Sequence, residues 1–202
     1  MNINFYKNAL KQVKISLILL FMLTIITGLI YPVMITIIAQ LFFPWQANGS
    51  MVEANNQVMG SLLIGQSFTE DKYFWSRPSA TSPFPYHAAS SSGSNMGPLN
   101  PDFLKTVKDR VTLLQKTDPV NNNLIPVDLV TASGSGLDPE ISPLAALYQI
   151  PHIAKARQIP AKSIETLIFS LIQKRTLGIL GEPRVNVLAL NLALDKLEST
   201  HA

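Results

Sequence analysis

Residues 15–43, ISLILLFMLTIITGLIYPVMITIIAQLFF, carry no charged side chain. Nothing else in the chain constrains the fold as strongly. About 20 apolar residues are enough for a helix to cross a bilayer, and this run has several to spare. A segment in lipid must satisfy its own backbone hydrogen bonds, so the expected form is a helix. Core helices of soluble proteins are seldom this long and this uniformly apolar. A cleaved secretory leader has only ~7–15 apolar residues, followed by a small-residue cleavage site. This run instead ends in Leu41, Phe42, Phe43, Pro44 and Trp45. The element expected is therefore an uncleaved anchor. Trp45 and Tyr31 are amphipathic rings of the kind found near membrane–water interfaces. Pro32 is expected to kink the helix, because proline removes a donor and crowds the preceding turn. Thr24 and Gly28, four apart, put two small residues on one face, where a partner helix can approach closely.

Charge sets the orientation. The chain has 16 Lys+Arg and 13 Asp+Glu, and Lys7, Lys11 and Lys14 precede the apolar run. The charges after that run cancel, so the net charge of +3 belongs to the N-terminal arm. Lys-rich flanks stay in the cytoplasm. The expected division is a cytoplasmic basic arm at 1–14, a transmembrane helix at 15–43, a tether at 44–56 and an extracytoplasmic domain at 57–202. The basic pI is no nucleic-acid signal, because the large domain is neutral overall.

Cysteine is absent, so an exported domain has to hold together by its core alone. Roughly 155 residues suffice for one such core. Residues 57–66 (QVMGSLLIGQ) read as a strand. Phe68, Tyr73, Phe74 and Trp75 read as a core plug, with an aromatic binding surface as the alternative. Residues 77–101 are rich in Pro, Ser and Gly and follow neither a helical nor a strand period, which makes them a long loop. His87 stands there without ligand-spaced Cys or His, so no metal is expected. Residues 102–116 read as a helix with Phe103, Val107, Val111 and Leu114 on one face. Residues 124–131 look like a second strand, interrupted by Pro126. A helix over 143–157 is interrupted near Pro151, and another covers 160–175 with Ile164, Leu167, Leu171 and Ile172 inward. After a loop at 178–183, Asn186 caps a last helix striped by Val187, Leu190, Leu194 and Leu197. A short strand at 184–188 is the alternative there. The fold class expected is a single N-terminal transmembrane helix plus one mixed α/β extracytoplasmic domain with a small sheet.

Residues 132–143 (ASGSGLDPEISP) are the stretch most like a ligand loop, since small residues let backbone N–H groups turn inward. They lack the ending of a phosphate-binding P-loop and the G-x-S-x-G of a nucleophile elbow. No histidine is placed in sequence as a base for Ser133 or Ser135, so an anchored hydrolase has no evident acid–base partner. The plainer reading is a tight turn before a helix, with Ser142 as N-cap and Pro143 at the first helical position.

Seven blocks carry a resemblance: FPWQANGS (43–50), GSLLIGQ (60–66), RPSA (77–80), GSNMGPLNP (93–101), LVTASGSGLDP (129–139), YQIPHIAKAR (148–157) and GEPRVNVLALNLALD (181–195). They run in order over nearly the whole chain. Through them the sequence resembles the C subunit of the Kdp-type potassium-transporting ATPase of bacteria. His152 departs from the arginine common in that family, and Glu140 sits at a variable position.

The resemblance implies a non-catalytic accessory subunit of an ATP-driven, high-affinity potassium uptake complex in the bacterial inner membrane. Its partners would be a channel-like potassium-translocating subunit, a P-type ATPase subunit and a very small membrane subunit. The subunit would be needed for assembly and would act as a catalytic chaperone that raises the ATP affinity of the ATPase subunit. The family proposal gives a nucleotide role to Gln149 and to the stretch 129–136, here Ser133, Gly134, Ser135 and Gly136. No cofactor of its own is implied, and the chain lacks the phosphorylatable D-K-T-G of a P-type ATPase. The charge reading puts Gln149 outside, with about 30 Å of hydrocarbon between it and cytoplasmic ATP. Direct contact with nucleotide would need the opposite orientation. An external module covering the potassium entry of the channel-like subunit is the alternative role. Gly134 and Gly136 are both expected in backbone conformations that β-branched residues disfavour.

Overall fold

The computed structural model describes residues 3–54 and 56–201. The chain forms two compact units that divide after Ser50. The first is one long helical element. Helix α1 (Ile3–Ile25) passes through a π-helical turn (Ile26–Ile30) into α2 (Tyr31–Phe42). The cause of the wide turn is local. Pro32 has no N–H to give and its ring crowds the carbonyl of Gly28. Tyr31 N–H reaches back five residues to Ile26 O. The proline is thus absorbed by a π turn just before it, of the sort known to accommodate an insertion within a helix. From Tyr6 onward the large apolar side chains of this element are, Ile25 apart, exposed, and the stretch from Tyr6 to Phe42 is long and apolar enough to cross a membrane. A short helix α3 (Pro44–Ala47) follows.

The second unit is mixed α/β. Strands β1 (Met51–Ala54) and β2 (Gln57–Ser61) form an antiparallel hairpin with a bulge between Val52 and Glu53. A long irregular segment leads to α4 (Pro101–Thr117), capped by Asn100, whose side chain accepts from the N–H groups of Asp102 and Phe103. Strand β3 (Glu140–Ile141) precedes α5 (Pro143–Tyr148), α6 (Ile150–Arg157) and α7 (Ala161–Leu171). Strand β4 (Val185–Asn186) pairs antiparallel with β3 and opens α8 (Val187–His201). The core lies where these helices meet the β3–β4 pair. Ile164 and Ile168 from α7, Leu190 and Leu194 from α8, Ile153 from α6 and Phe74 from the aromatic segment are fully buried there.

Much of the expected layout is present. Leu114 is buried on α4, with Val107 and Val111 packed beside it on the core. Ser142 caps α5 by accepting from Ala145 N–H at 3.0 Å, with Pro143 next to it. Asn186 both ends a strand and caps α8 through Ala189 N–H. Phe74 plugs the core as read.

Several boundaries differ. The strand expected over 57–66 stops at Ser61, and its partner β1 lies within the stretch read as tether. Residues 124–131 are not a strand. Pro126 offers no donor, and Val130 and Thr131 give their N–H groups to Val127 O in a local 3₁₀ turn (Val127–Leu129). The helix expected to run to Arg175 ends at Leu171, where Ile172 turns extended. Gln173 and Arg184 then exchange backbone hydrogen bonds at 2.8 and 3.0 Å, closing a hairpin over most of the predicted loop.

The long loop is stapled to the glycine-rich stretch. Ser79 Oγ donates to Gly136 O at 2.6 Å and accepts from Tyr86 N–H at 2.9 Å. Ser92 N–H donates to Ser135 O at 2.9 Å. The Tyr86 hydroxyl donates to Arg77 O, and burial pushes its pKa up to about 12. Gly136 sits at φ +67, and a Cβ there would lie 2.5 Å from Ser92 O and 2.7 Å from Thr81 Cγ2. Gly134 does not share this conformation, and a Cβ there would meet nothing within 4 Å, so the expectation is corrected at that position. Gly136→Val is accordingly expected to lower stability by more than about 1 kcal/mol, and Gly134→Ala by far less. Melting temperatures of the two variants in detergent check this; equal values would contradict the packing argument.

Candidate functional site

The residues singled out for a nucleotide role lie in two places. Gln149 stands at the break between α5 and α6. Pro151 in the first turn of α6 cannot donate to the turn before it, so α5 cannot simply continue, and the backbone breaks at Gln149. Its side chain is fully buried. Gln149 Oε1 accepts from Trp75 N–H at 2.7 Å, and Nε2 donates to Trp75 O and Ala145 O, each at 3.2 Å. Both amide donors are used. Asn191 on α8 treats the preceding residue in the same way, accepting from Phe74 N–H at 2.8 Å and donating to Phe74 O at 3.0 Å.

Residues 133–136 form a self-satisfied turn. Ser133 Oγ is buried and accepts from Gly136 N–H at 2.9 Å, and Ser135 Oγ accepts from Leu137 N–H at 3.1 Å. Such hydroxyl-to-backbone turns use up the oxygen's main contact. Among the described residues no histidine bonds to either hydroxyl, and no hydrogen bond joins this turn to Gln149. Nearby charges are paired or acidic. Arg77 bonds to Asp138 at 3.0 Å and Arg184 to Glu140 at 2.8 Å. The Asp128 carboxylate takes Ser142 N–H at 2.7 Å and the Ser142 hydroxyl at 3.2 Å. An anion approaching the start of α5 would thus meet a carboxylate already in place.

Other polar chemistry in the resembling blocks is also internal. Arg157, which sequence reasoning did not single out, has a side chain 1% exposed. It donates to Lys72 O at 2.6 Å and pairs with Asp195 and Glu198 on α8, with the Tyr73 ring 4.9 Å from its guanidinium carbon. In a basic cluster such as KAR (155–157), periodicity gives no sign of which cation turns inward. On the long helix, Thr24 Oγ1 donates to Leu20 O at 2.8 Å, and nothing lies within 4 Å of the position a Gly28 Cβ would take. Among the described residues, both lie exposed on this helical element.

His152 is buried beside the Trp75 ring, 5.8 Å between centroids, and its Nε2 has no partner. Asp118 Oδ2 and Tyr148 OH are likewise buried without partners. Burial lowers the His152 pKa below 6.5, and the charges of Asp118 and Asp71 only partly oppose this. A histidine with a depressed folded-state pKa binds its proton more readily in the unfolded chain, so stability rises with pH through that interval. The contribution is present above 6.5 and is lost as pH falls toward the folded pKa. Thermal melts of the full chain should show this fall, and His152→Gln should flatten it; an unchanged profile in the variant would show that another group is responsible.

The sequence profile described as "KdpC: K+-transporting ATPase, c chain" matches residues 13–196. A "Potassium-transporting ATPase KdpC subunit" of Herpetosiphon aurantiacus is 56% identical over 176 residues, covering 87% of this chain and 91% of the relative. Proteins of the same name from Methylococcus capsulatus and Polaromonas naphthalenivorans are 54% and 50% identical, covering 91% and 97% of this chain and 97% and 98% of theirs. Seen with one long apolar N-terminal helix and a single mixed α/β unit, these matches show that the chain belongs to the KdpC family of potassium-transporting ATPase subunits.

Proposed function

We propose that this chain is a non-catalytic accessory subunit of an ATP-driven potassium uptake complex and that it influences ATP use indirectly. Its partners in this reading are a channel-like potassium-translocating subunit, a P-type ATPase subunit and a very small membrane subunit. The observation that carries the indirect mode is the state of Gln149: fully buried, with both amide donors spent on Trp75 and Ala145. A nucleotide could reach that amide only by displacing three hydrogen bonds that hold the core together. The turn at Ser133, Gly134, Ser135 and Gly136 has no lysine in P-loop position, and Asp128, Asp138 and Glu140 lie around the start of α5. Phosphate sites depend on positive charge, metal or free helix N–H groups.

An accessory subunit can still raise ATP affinity. It needs only to bind the nucleotide-competent conformer of the ATPase subunit better than the other conformer. Typical coupling of ~1–3 kcal/mol changes affinity about 5- to 150-fold without any contact with the ligand. The open face at Thr24 and Gly28 suits a partner helix in the membrane, since small residues allow backbones to approach.

In this reading residues 1–14 are cytoplasmic, 15–43 cross the inner membrane, and the tether at 44–56 and domain at 57–202 lie outside. Lys7, Lys11 and Lys14 support that orientation. Protease added to intact spheroplasts should remove the domain and leave a membrane-protected N-terminal fragment. A domain that is cut only after the membrane is opened would reverse the assignment.

Calorimetric titration of the full chain in detergent with Mg-ATP separates the two modes of action. No saturable heat is expected at micromolar nucleotide. A saturable signal that disappears in Gln149→Ala, with the variant still folded by its melting curve, would establish direct binding and overturn the indirect mode.

A further inference from the structure

Beside the aromatic segment, a cavity of about 260 Å³ is lined by parts of the long loop and by α4. Its polar lining includes two guanidinium groups in different states. Arg77 is paired with Asp138 through Nη1, yet its Nε is buried and bonds to nothing. Arg110 gives Nη1 to the neutral carbonyl of Val130 at 2.8 Å. Among the described residues no carboxylate pairs with it, and burial works against its charge without an opposing acid. Ser76, also in the lining, has its hydroxyl buried beside that of Tyr86, which itself donates to Arg77 O. Phe68, Trp75 and Leu129 supply apolar wall, and no carboxylate belongs to the lining.

Buried donors without acceptors are costly, and an unpaired half-buried cation adds to that cost. The missing counterpart is an acceptor-rich anion. A carboxylate accepts from a guanidinium fork in two parallel bonds, which makes it the natural partner of Arg110. The apolar wall favours a ligand with an apolar body. Pockets for drug-sized molecules run to ~300–1,000 Å³, so this smaller cavity suits a single ring or a short branched chain and is too small for a nucleoside triphosphate.

We propose that this cavity is a binding site for a small monocarboxylate with an aromatic or branched apolar body, its carboxylate held by Arg110 with Ser76 Oγ and Arg77 Nε as further donors. The body lies against Phe68 and Trp75. Gln149 and the turn at 133–136 hold two lining residues, Trp75 and Ser79, from behind and are not themselves in the lining, and the proposal stands whether or not the indirect action on ATP is correct.

The test uses the full chain in detergent micelles and 4-fluorobenzoate as the probe, followed by ¹⁹F NMR. Neutral 4-fluorobenzamide reports partition into the micelle, and inorganic phosphate reports general anion binding. Saturable binding of the benzoate is expected, with the benzamide showing only unsaturable partition and phosphate failing to compete. Arg110→Gln should weaken the benzoate by about tenfold or more, and Ser76→Ala by a smaller factor. If Arg110→Gln proves unfolded, Arg110→Lys, which keeps the charge and loses the fork, takes its place. A benzoate signal no different from the benzamide's overturns the proposal. So does affinity unchanged by both the Arg110 and Ser76 substitutions, and competition by phosphate overturns the carboxylate assignment.

Discussion

Two side-chain amides hold the mixed α/β unit together at its centre. Gln149 and Asn191 each exchange a pair of hydrogen bonds with one backbone residue, Trp75 and Phe74 in turn. An irregular segment entering a core brings backbone N–H and C=O groups that have no ladder or helix to satisfy them. Here the two carboxamides stand in for a neighbouring strand. That allows Phe74 to be fully buried without leaving its own main chain unpaired. It also ties three parts of the sequence together: the aromatic segment, the break between α5 and α6, and the last helix. Removing either amide strands buried partners on the other side, typically at about 1–3 kcal/mol per unsatisfied group.

The same logic recurs at the edges of that centre. Arg157 satisfies Lys72 O while its charge is met by Asp195 and Glu198. Asn121 Nδ2 gives a hydrogen bond to Tyr148 O. Ser79 and Ser92 hold the long loop to the glycine-rich turn. With no cysteine and, among the described residues, only two-stranded sheets, polar side chains perform the cross-linking that disulfides or a broad sheet would otherwise provide. Each of these bonds has at least one end in segments 77–80, 129–139, 148–157 or 181–195, and several have the other end outside them, at Lys72, Phe74, Trp75, Ser92 and Asn121. The side chains in these segments are spent on folding, and Gln149 is the clearest case.

What the sequence made legible is what periodicity and local capping encode. The apolar run, the stripe on α4, the Ser142 cap and the Val187–Leu194 stripe depend on near neighbours, and each lies where the pattern put it. Residues 124–131 show the limit. Their composition suits a strand, but a strand needs a partner, and pairing is decided by tertiary structure. The helix end at Leu171 was hidden for a similar reason, because the competing interaction is a backbone exchange with Arg184 across a hairpin. Gln149 and Asn191 were harder still. Their contacts span more than 70 residues of chain, and no spacing rule reports such a separation. Asn191 left one trace, a lone amide between leucines at 190 and 192. The Arg110 cavity left none, since a cation on an amphipathic helix normally faces water.

The π turn before Pro32 alters more than one hydrogen bond. An α-helix advances about 100° per residue, so a turn that takes in one extra residue throws everything beyond it out of angular phase by about that amount. Side chains of α2 therefore do not continue the stripes of α1. A single straight seam of the coiled-coil kind cannot run the length of this element. Its two halves present differently directed faces to whatever surrounds them, where an uninterrupted helix would offer one continuous edge.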